Sequence, residues 1–479
     1  MRRSSFHYFH PFIGNGFNHT TVLLCAVSAS VYLTACGGGT TVKTQTPASD
    51  YSAQVIYNFG ASPDGNGPAV GVVLDAKGNL YGTTVHGGTF SEGTVYELMS
   101  DSGQWTEKVL YSFCHPGMHC SDGSQPMSRL TFDSARNLYG TASQGGLYSD
   151  SSTGIGYGVV FELTPQQDGT WVEQVIHDFQ NGQDGAYPQG GELLFDKDGN
   201  MYGTTLGGGA DDSGGYDNGT VFELSPGSNG QWTEQVLALF CYEAGLCYPS
   251  EGEGANPEDG LTFDSSGNLF GTTRIGPPHL NGAANGYGTV FELGPTSGEW
   301  WSQSWPYNFQ GGPADGGTPM GGLVIDSTGA FYGTTSAGGS STLSPDSGTV
   351  FKLTLGANGK WSDTILYNFC SQQGCFDGSH PTTGVTFDQA GNLYGTTLNG
   401  GPDNAGVVFK LTPQGDGTWK ESVLYAFQGY DNGYGPVGLT VDSLGNLFVA
   451  AAGGSTGRGV ILELSPQTAD WNFAKRSRP

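Results

Sequence analysis

The sequence predicts an all-β fold: a seven-bladed β-propeller with four antiparallel strands per blade, closed by an N-terminal strand that supplies the outer strand of the last blade. Three observations predict it. The pattern of residues 387–397 (FDQAGNLYGTT) recurs seven times, with Tyr81, Tyr139, Tyr202, Phe270, Tyr332, Tyr394 and Phe448 at its aromatic position. Four strand-like pieces repeat around that pattern, as expected of an array of four-stranded blades. A copy of the fourth piece, residues 54–59, precedes the first complete unit, and the last unit lacks a full one.

The elements follow in order within each unit. The first piece is short and apolar and ends in Asp, as in Leu130-Thr131-Phe132-Asp133. A turn closing in Gly-Asn follows; Asp bonds local amides there, and Gly or Asn tolerates positive φ. The second strand is Asn-Leu-Tyr-Gly-Thr. The third reads GTVFEL at 219–224 and 288–293, with variants in the other units. The fourth starts at a tryptophan and alternates. Trp105, Val109, Tyr111 and Phe113 fall on one side, and Thr106, Lys108, Leu110 and Ser112 on a more polar side. Inner strands covered on both faces should be apolar, and an outer strand should be mixed. The strands are therefore expected to run from the axis outward in chain order. Residues 54–59 then become the outer strand of blade seven, which leaves no open sheet edge there.

Composition agrees. The 479 residues include 82 Gly and only 13% charged residues, which suits short strands and tight turns rather than disorder. The formal charge of -27 disfavours nucleic acid and anionic lipid headgroups as partners. It is compatible with cations or neutral polymers.

Residues 1–50 lack the repeat. Arg2 and Arg3 are followed by the apolar run 22–32, too short for an ordinary membrane span and suited to a signal-peptide core. It ends in Leu33-Thr34-Ala35-Cys36, which resembles the bacterial lipobox. That resemblance implies cleavage after residue 35, lipidation of Cys36 and attachment to a membrane through the lipid. The expected organisation is a signal peptide at 1–35, a Gly/Thr/Ser tether at 36–50, the propeller at 51–473 and a basic tail at 474–479. The expected location is the outer membrane or cell surface, or the medium if the chain is simply secreted; a monomer is expected.

The combination FDxxGNLYGTT, then GTVFEL, then W…VLYxF, resembles the GloVer-type tandem repeat of bacterial surface proteins, over about residues 54–464. The resemblance implies an exported, anchored propeller, and it implies no activity.

Six further cysteines form three local pairs: Cys114 with Cys120, Cys241 with Cys247, and Cys370 with Cys375. Each follows an outer strand. In an exported chain such pairs are expected to be disulfides, with zinc as the rival reading.

In an antiparallel blade the second-to-third and blade-to-blade connections share one face. Here these are the long, variable, cysteine-bearing loops, where binding and chemistry concentrate. A recurring Asp-Gly-x-x-Pro brings Asp64, Asp122, Asp184, Asp315 and Asp377 to that face. They read either as a ring of carboxylates near the channel mouth able to hold Ca²⁺, or as turn residues. No cofactor is firmly implied. Blade four breaks the pattern with Glu251, Glu253, Arg274 and His279, a set suited to acid/base or metal chemistry, and with Tyr242 and Tyr248, whose rings suit sugar stacking. No GxSxG, HExxH, phosphate-binding Gly-Lys-Ser/Thr or EF-hand loop occurs. The expected function is a binding module for glycan or protein. The alternative is a lyase or hydrolase using carboxylates and His279 with a divalent metal.

Overall fold

The computed structural model describes residues 50–115, 120–209, 218–240, 254–277, 286–296, 301–341 and 343–467. They form seven antiparallel sheets arranged as a seven-bladed propeller. Blades one to six cover residues 65–112, 124–178, 194–239, 262–308, 316–368 and 386–426, each with its strands in chain order from the axis outward. Blade seven is completed by the strand Tyr51–Asn58, which pairs with Val460–Pro466, so the expected closure is present.

The repeat encodes contacts between blades more than within them. The second-strand tyrosine of one blade packs edge-on against the first-strand phenylalanine and outer-strand tryptophan of the next. Tyr139 meets Phe195 at 5.2 Å and Trp232 at 6.1 Å, and Tyr332 meets Phe387 and Trp419 likewise. At the junctions leading into blades one to six, the phenylalanine ending the outer strand stacks edge-on on the third-strand aromatic of the next blade. Phe113 on Phe161 and Phe369 on Phe409 are both 5.0 Å apart. The buried clusters accordingly span blade pairs, and Tyr81, Phe113 and Phe161 share one.

The glycine of LYGTT makes room for that third-strand ring. A Cβ on Gly395 would stand 2.6 Å from Phe409 Cζ, and one on Gly140 would stand 2.7 Å from Phe161 Cζ. Blade seven solves the same packing differently: Val449 occupies the glycine position and faces Leu462 where the others have Phe or Tyr. The Asp of the hairpin turn behaves as expected. Asp388 Oδ1 accepts from the backbone N–H of Ala390 and Asn392, and Gly391 takes φ 81°.

One expectation is corrected. Each outer strand carries a bulge, as where Val95 and Tyr96 oppose Tyr111 and Val109 and Leu110 is left out of the register. Ile56, Ile176, Leu237, Leu366 and Leu424 are skipped in the same way. The bulge breaks the period of two. Leu110 is therefore buried instead of lying on the polar side with Thr106.

Candidate functional site

The innermost strands surround an axial cavity of about 420 Å³ lined by all seven blades. Close backbone approaches shape its wall: a Cβ on Gly191 would lie 1.7 Å from the nitrogen of Gly260, and one on Gly438 would lie 2.1 Å from that of Gly71. The position before the buried Leu or Val of the first strand is glycine in five blades: Gly71, Gly260, Gly322, Gly384 and Gly438. It is Arg129 in blade two and Glu192 in blade three. Arg129 Nε stands 3.7 Å from Glu192 Oε2, and Arg129 donates through Nη2 to Thr440 Oγ1 at 2.9 Å and to the Val72 carbonyl.

Asp259 joins this group from blade four. Its carboxylate accepts from the Gly260 N–H at 2.7 Å and the Gly322 N–H at 2.5 Å. Burial pushes its pKa up to about 6, opposed by those two amides, and the charge of Glu192 adds to the rise. An arginine and two carboxylates, one poised near neutrality, can orient a polar ligand or exchange a proton with it. Reading the units separately hides this cluster. Aligning them on the buried Leu reveals it, because Arg129 and Glu192 stand where the other blades have glycine.

The residues singled out from the sequence fall as follows. Arg274 is described and pairs with Glu258 at 2.9 Å. Burial raises the Glu258 pKa, with the arginine opposing. Glu251, Glu253, His279, Tyr242, Tyr248, Cys36, Cys241 and Cys247 lie outside the described residues. Cys114 is bonded to Cys120, and Cys370 to Cys375.

The loop aspartates do not ring the channel mouth. Each folds back on the outer strand its loop has just left, because the loop begins at the circumference. Asp64 accepts from Tyr57 Oη at 2.9 Å, Asp122 from Tyr111 at 2.8 Å, Asp315 from Tyr307 at 3.0 Å and Asp377 from Tyr367 at 2.7 Å. In the third case of the series His177 replaces the tyrosine, with Nε2 3.1 Å from Asp184 Oδ1. Backbone amides add to the turn, as from His115 to Asp122 and Gln310 to Asp315. The turn reading therefore holds. It leaves a second buried carboxylate beside each aspartate unexplained.

The loop face carries most of the exposed large apolar side chains. Leu147, Tyr148, Ile155, Leu343, Phe376, Leu398, Tyr430 and Tyr434 lie in or at the edge of second-to-third or blade-to-blade connections. Only Val172, Leu355 and Leu444 among the described residues lie elsewhere. Tyr430 is 83% exposed, in the loop that enters blade seven.

A sequence model of the Gloeobacter/Verrucomicrobia repeat matches residues 19–276, 148–375 and 280–476. The chain belongs to this repeat family. No curated protein sequence matches this Gloeobacter/Verrucomicrobia repeat protein. Solved structures similar to it include a Thermus thermophilus putative oxidoreductase (glucose dehydrogenase), at 15% identity and TM-score 0.40, covering 86% of this chain and 99% of that one. A luciferin-regenerating enzyme matches at 12% identity and TM-score 0.38, covering 70% and 90%. A gluconolactonase from Xanthomonas campestris matches at 15% identity and TM-score 0.34, covering 74% and 93%. At these values the likenesses carry nothing about the chemistry of the repeat protein.

Proposed function

We propose that the protein is an exported binding module, anchored by a lipid on Cys36, that holds a glycan or protein ligand on its disulfide-bearing loop face. The observation that carries this reading is the one-sided placement of exposed apolar side chains. Aromatic rings with a polar tip, such as Tyr430 (83% exposed) and Tyr434 (44% exposed), suit stacking on sugars or anchoring a protein. The charge of -27 favours a neutral or basic ligand. Glycan arrays, and capture of protein ligands from the cell surface, test the reading. The double variant Tyr430→Ala/Tyr434→Ala should weaken the captured ligand about tenfold at the usual worth of two aromatic contacts. Unchanged affinity rejects this face. Labelled palmitate should enter the wild type and not Cys36→Ser, and equal incorporation rejects the anchor.

A second reading, a propeller lyase or hydrolase, draws on Asp259 with its pKa near 6 beside Glu192 and Arg129 in the axial cavity. Turnover of a bound glycan that disappears in Asp259→Asn while binding persists would favour it.

A further inference from the structure

Five blade junctions share a construction that the turn does not require. The loop aspartate is faced by a second acid, two residues after the tryptophan of the next blade's outer strand. The pairs are Asp64 with Glu107, Asp122 with Glu173, Asp184 with Glu234, Asp315 with Asp363, and Asp377 with Glu421. The acids belong to different blades, so each pair bridges a junction. Asp122 is only 6% exposed, Asp315 5% and Asp377 0%.

Each pair leaves buried oxygens without a hydrogen-bond partner. These are Asp64 Oδ1 and Glu107 Oε1, Asp122 Oδ1 and Glu173 Oε1, Glu234 Oε1, Asp363 Oδ1, and Glu421 Oε1. Among the described residues no lysine or arginine makes an ion pair with any of these carboxylates. Two facing carboxylates removed from water repel each other and forgo hydration, so either a shared proton or a bound cation must relieve each pair. At the second-to-third junction ligand atoms of His177, Asp184 and Glu234 all lie within 4.8 Å of one another.

At the junction entering blade seven both acids are absent together: Asn432 stands for the aspartate, and the acid position of that blade's outer strand is Ala53. The junction entering blade four differs, with Glu253 at the loop position and Gln303 at the acid position.

We propose that each of these five junctions holds one divalent cation of the calcium class between the loop aspartate and the outer-strand acid, clamping neighbouring blades together. Four of the pairs are accompanied by tyrosine, so they offer hard oxygen donors, which suit calcium with water completing the shell. The fifth, with His177, adds a nitrogen donor and also admits a transition-metal ion.

The test uses the whole protein, purified without chelator and analysed by atomic emission, then stripped with EDTA and titrated with CaCl₂ at pH 8. About five cations per chain are expected, and calcium should raise the melting temperature of the stripped protein by several degrees. Glu173→Gln keeps the shape and, with folding verified by circular dichroism, should bind one cation fewer. The rival is a proton shared within each pair. A stripped protein whose melting temperature millimolar calcium, magnesium or zinc leaves unchanged, or an ion count that Glu173→Gln does not lower, overturns the proposal.

Discussion

Replacing Gly395 by Val tests the packing rule that ties the second strand to the third. The backbone there is ordinary, so the cost is steric. The new Cβ meets Phe409 at 2.6 Å (Cζ) and 2.9 Å (Cε1), with Val385 Cγ1 at 3.3 Å. Overpacking of this kind costs about 1–3 kcal/mol. Phe409→Leu alone removes ring volume from a fully buried site and loses the edge contact with Phe369, together about 1–3 kcal/mol. Blade seven carries the two changes together as Val449 facing Leu462, in the same register as Gly395 facing Phe409. The double variant should therefore be less destabilised than the two single variants summed, with a coupling of about 1–2 kcal/mol. Equilibrium urea unfolding of the four proteins, followed by tryptophan fluorescence, measures it. Strict additivity refutes the idea that the glycine exists to admit the ring.

Three further outcomes follow from single sites. Tyr96 is fully buried, its hydroxyl has no partner, and the matching residues Phe161, Phe222, Phe291, Phe351 and Phe409 lack one. Tyr96→Phe should be neutral or stabilise by up to about 1 kcal/mol, and a loss of stability in urea would point to a bound water. Asp259 has its native pKa raised to about 6 by burial, so its contribution is present below about pH 4 and lost as pH rises through 6. Asp259→Asn should therefore gain on the wild type by a few kcal/mol between pH 4 and 7 in paired thermal melts; a gap that shrinks with rising pH refutes the assignment. Opening the short Cys370–Cys375 loop by a Cys→Ser pair should cost about 2 kcal/mol by loop entropy, read by denaturation without reductant.

The architecture was legible because it is written many times over. Local turn chemistry at Asp388, Gly391 and Asn392 and the displaced strand at 54–59 were enough to order the strands and close the ring. What escaped was geometry between units. Leu110 was misplaced because a bulge has no composition signal in a strand this short. The sequence leaves the loop aspartates open between a ring at the channel mouth and turn residues, because their partners, such as Tyr57 and Glu107, lie on two different blades' outer strands. Arg129, Glu192 and Asp259 are 63 and 67 residues apart in succession and meet because consecutive blades bring their innermost strands together around the axis. Column-by-column comparison of the units would have exposed them, since an ion pair replacing two glycines at a shared position is a departure without a packing reason.

The closing strand has a consequence for how the molecule comes into being. Ser52 and Ser465 are neighbours across a ladder yet 413 residues apart in the chain. The first strand to emerge from synthesis has no partner until the last blade exists, and bringing such distant ends together carries a loop-closure cost of about 5 kcal/mol. Until that moment the growing array shows a raw edge at each end, the condition under which chains pair with their neighbours. Both ends must therefore reach the same side of any barrier before the fold can lock, and a cut that frees residues 51–58 unlatches the whole circle.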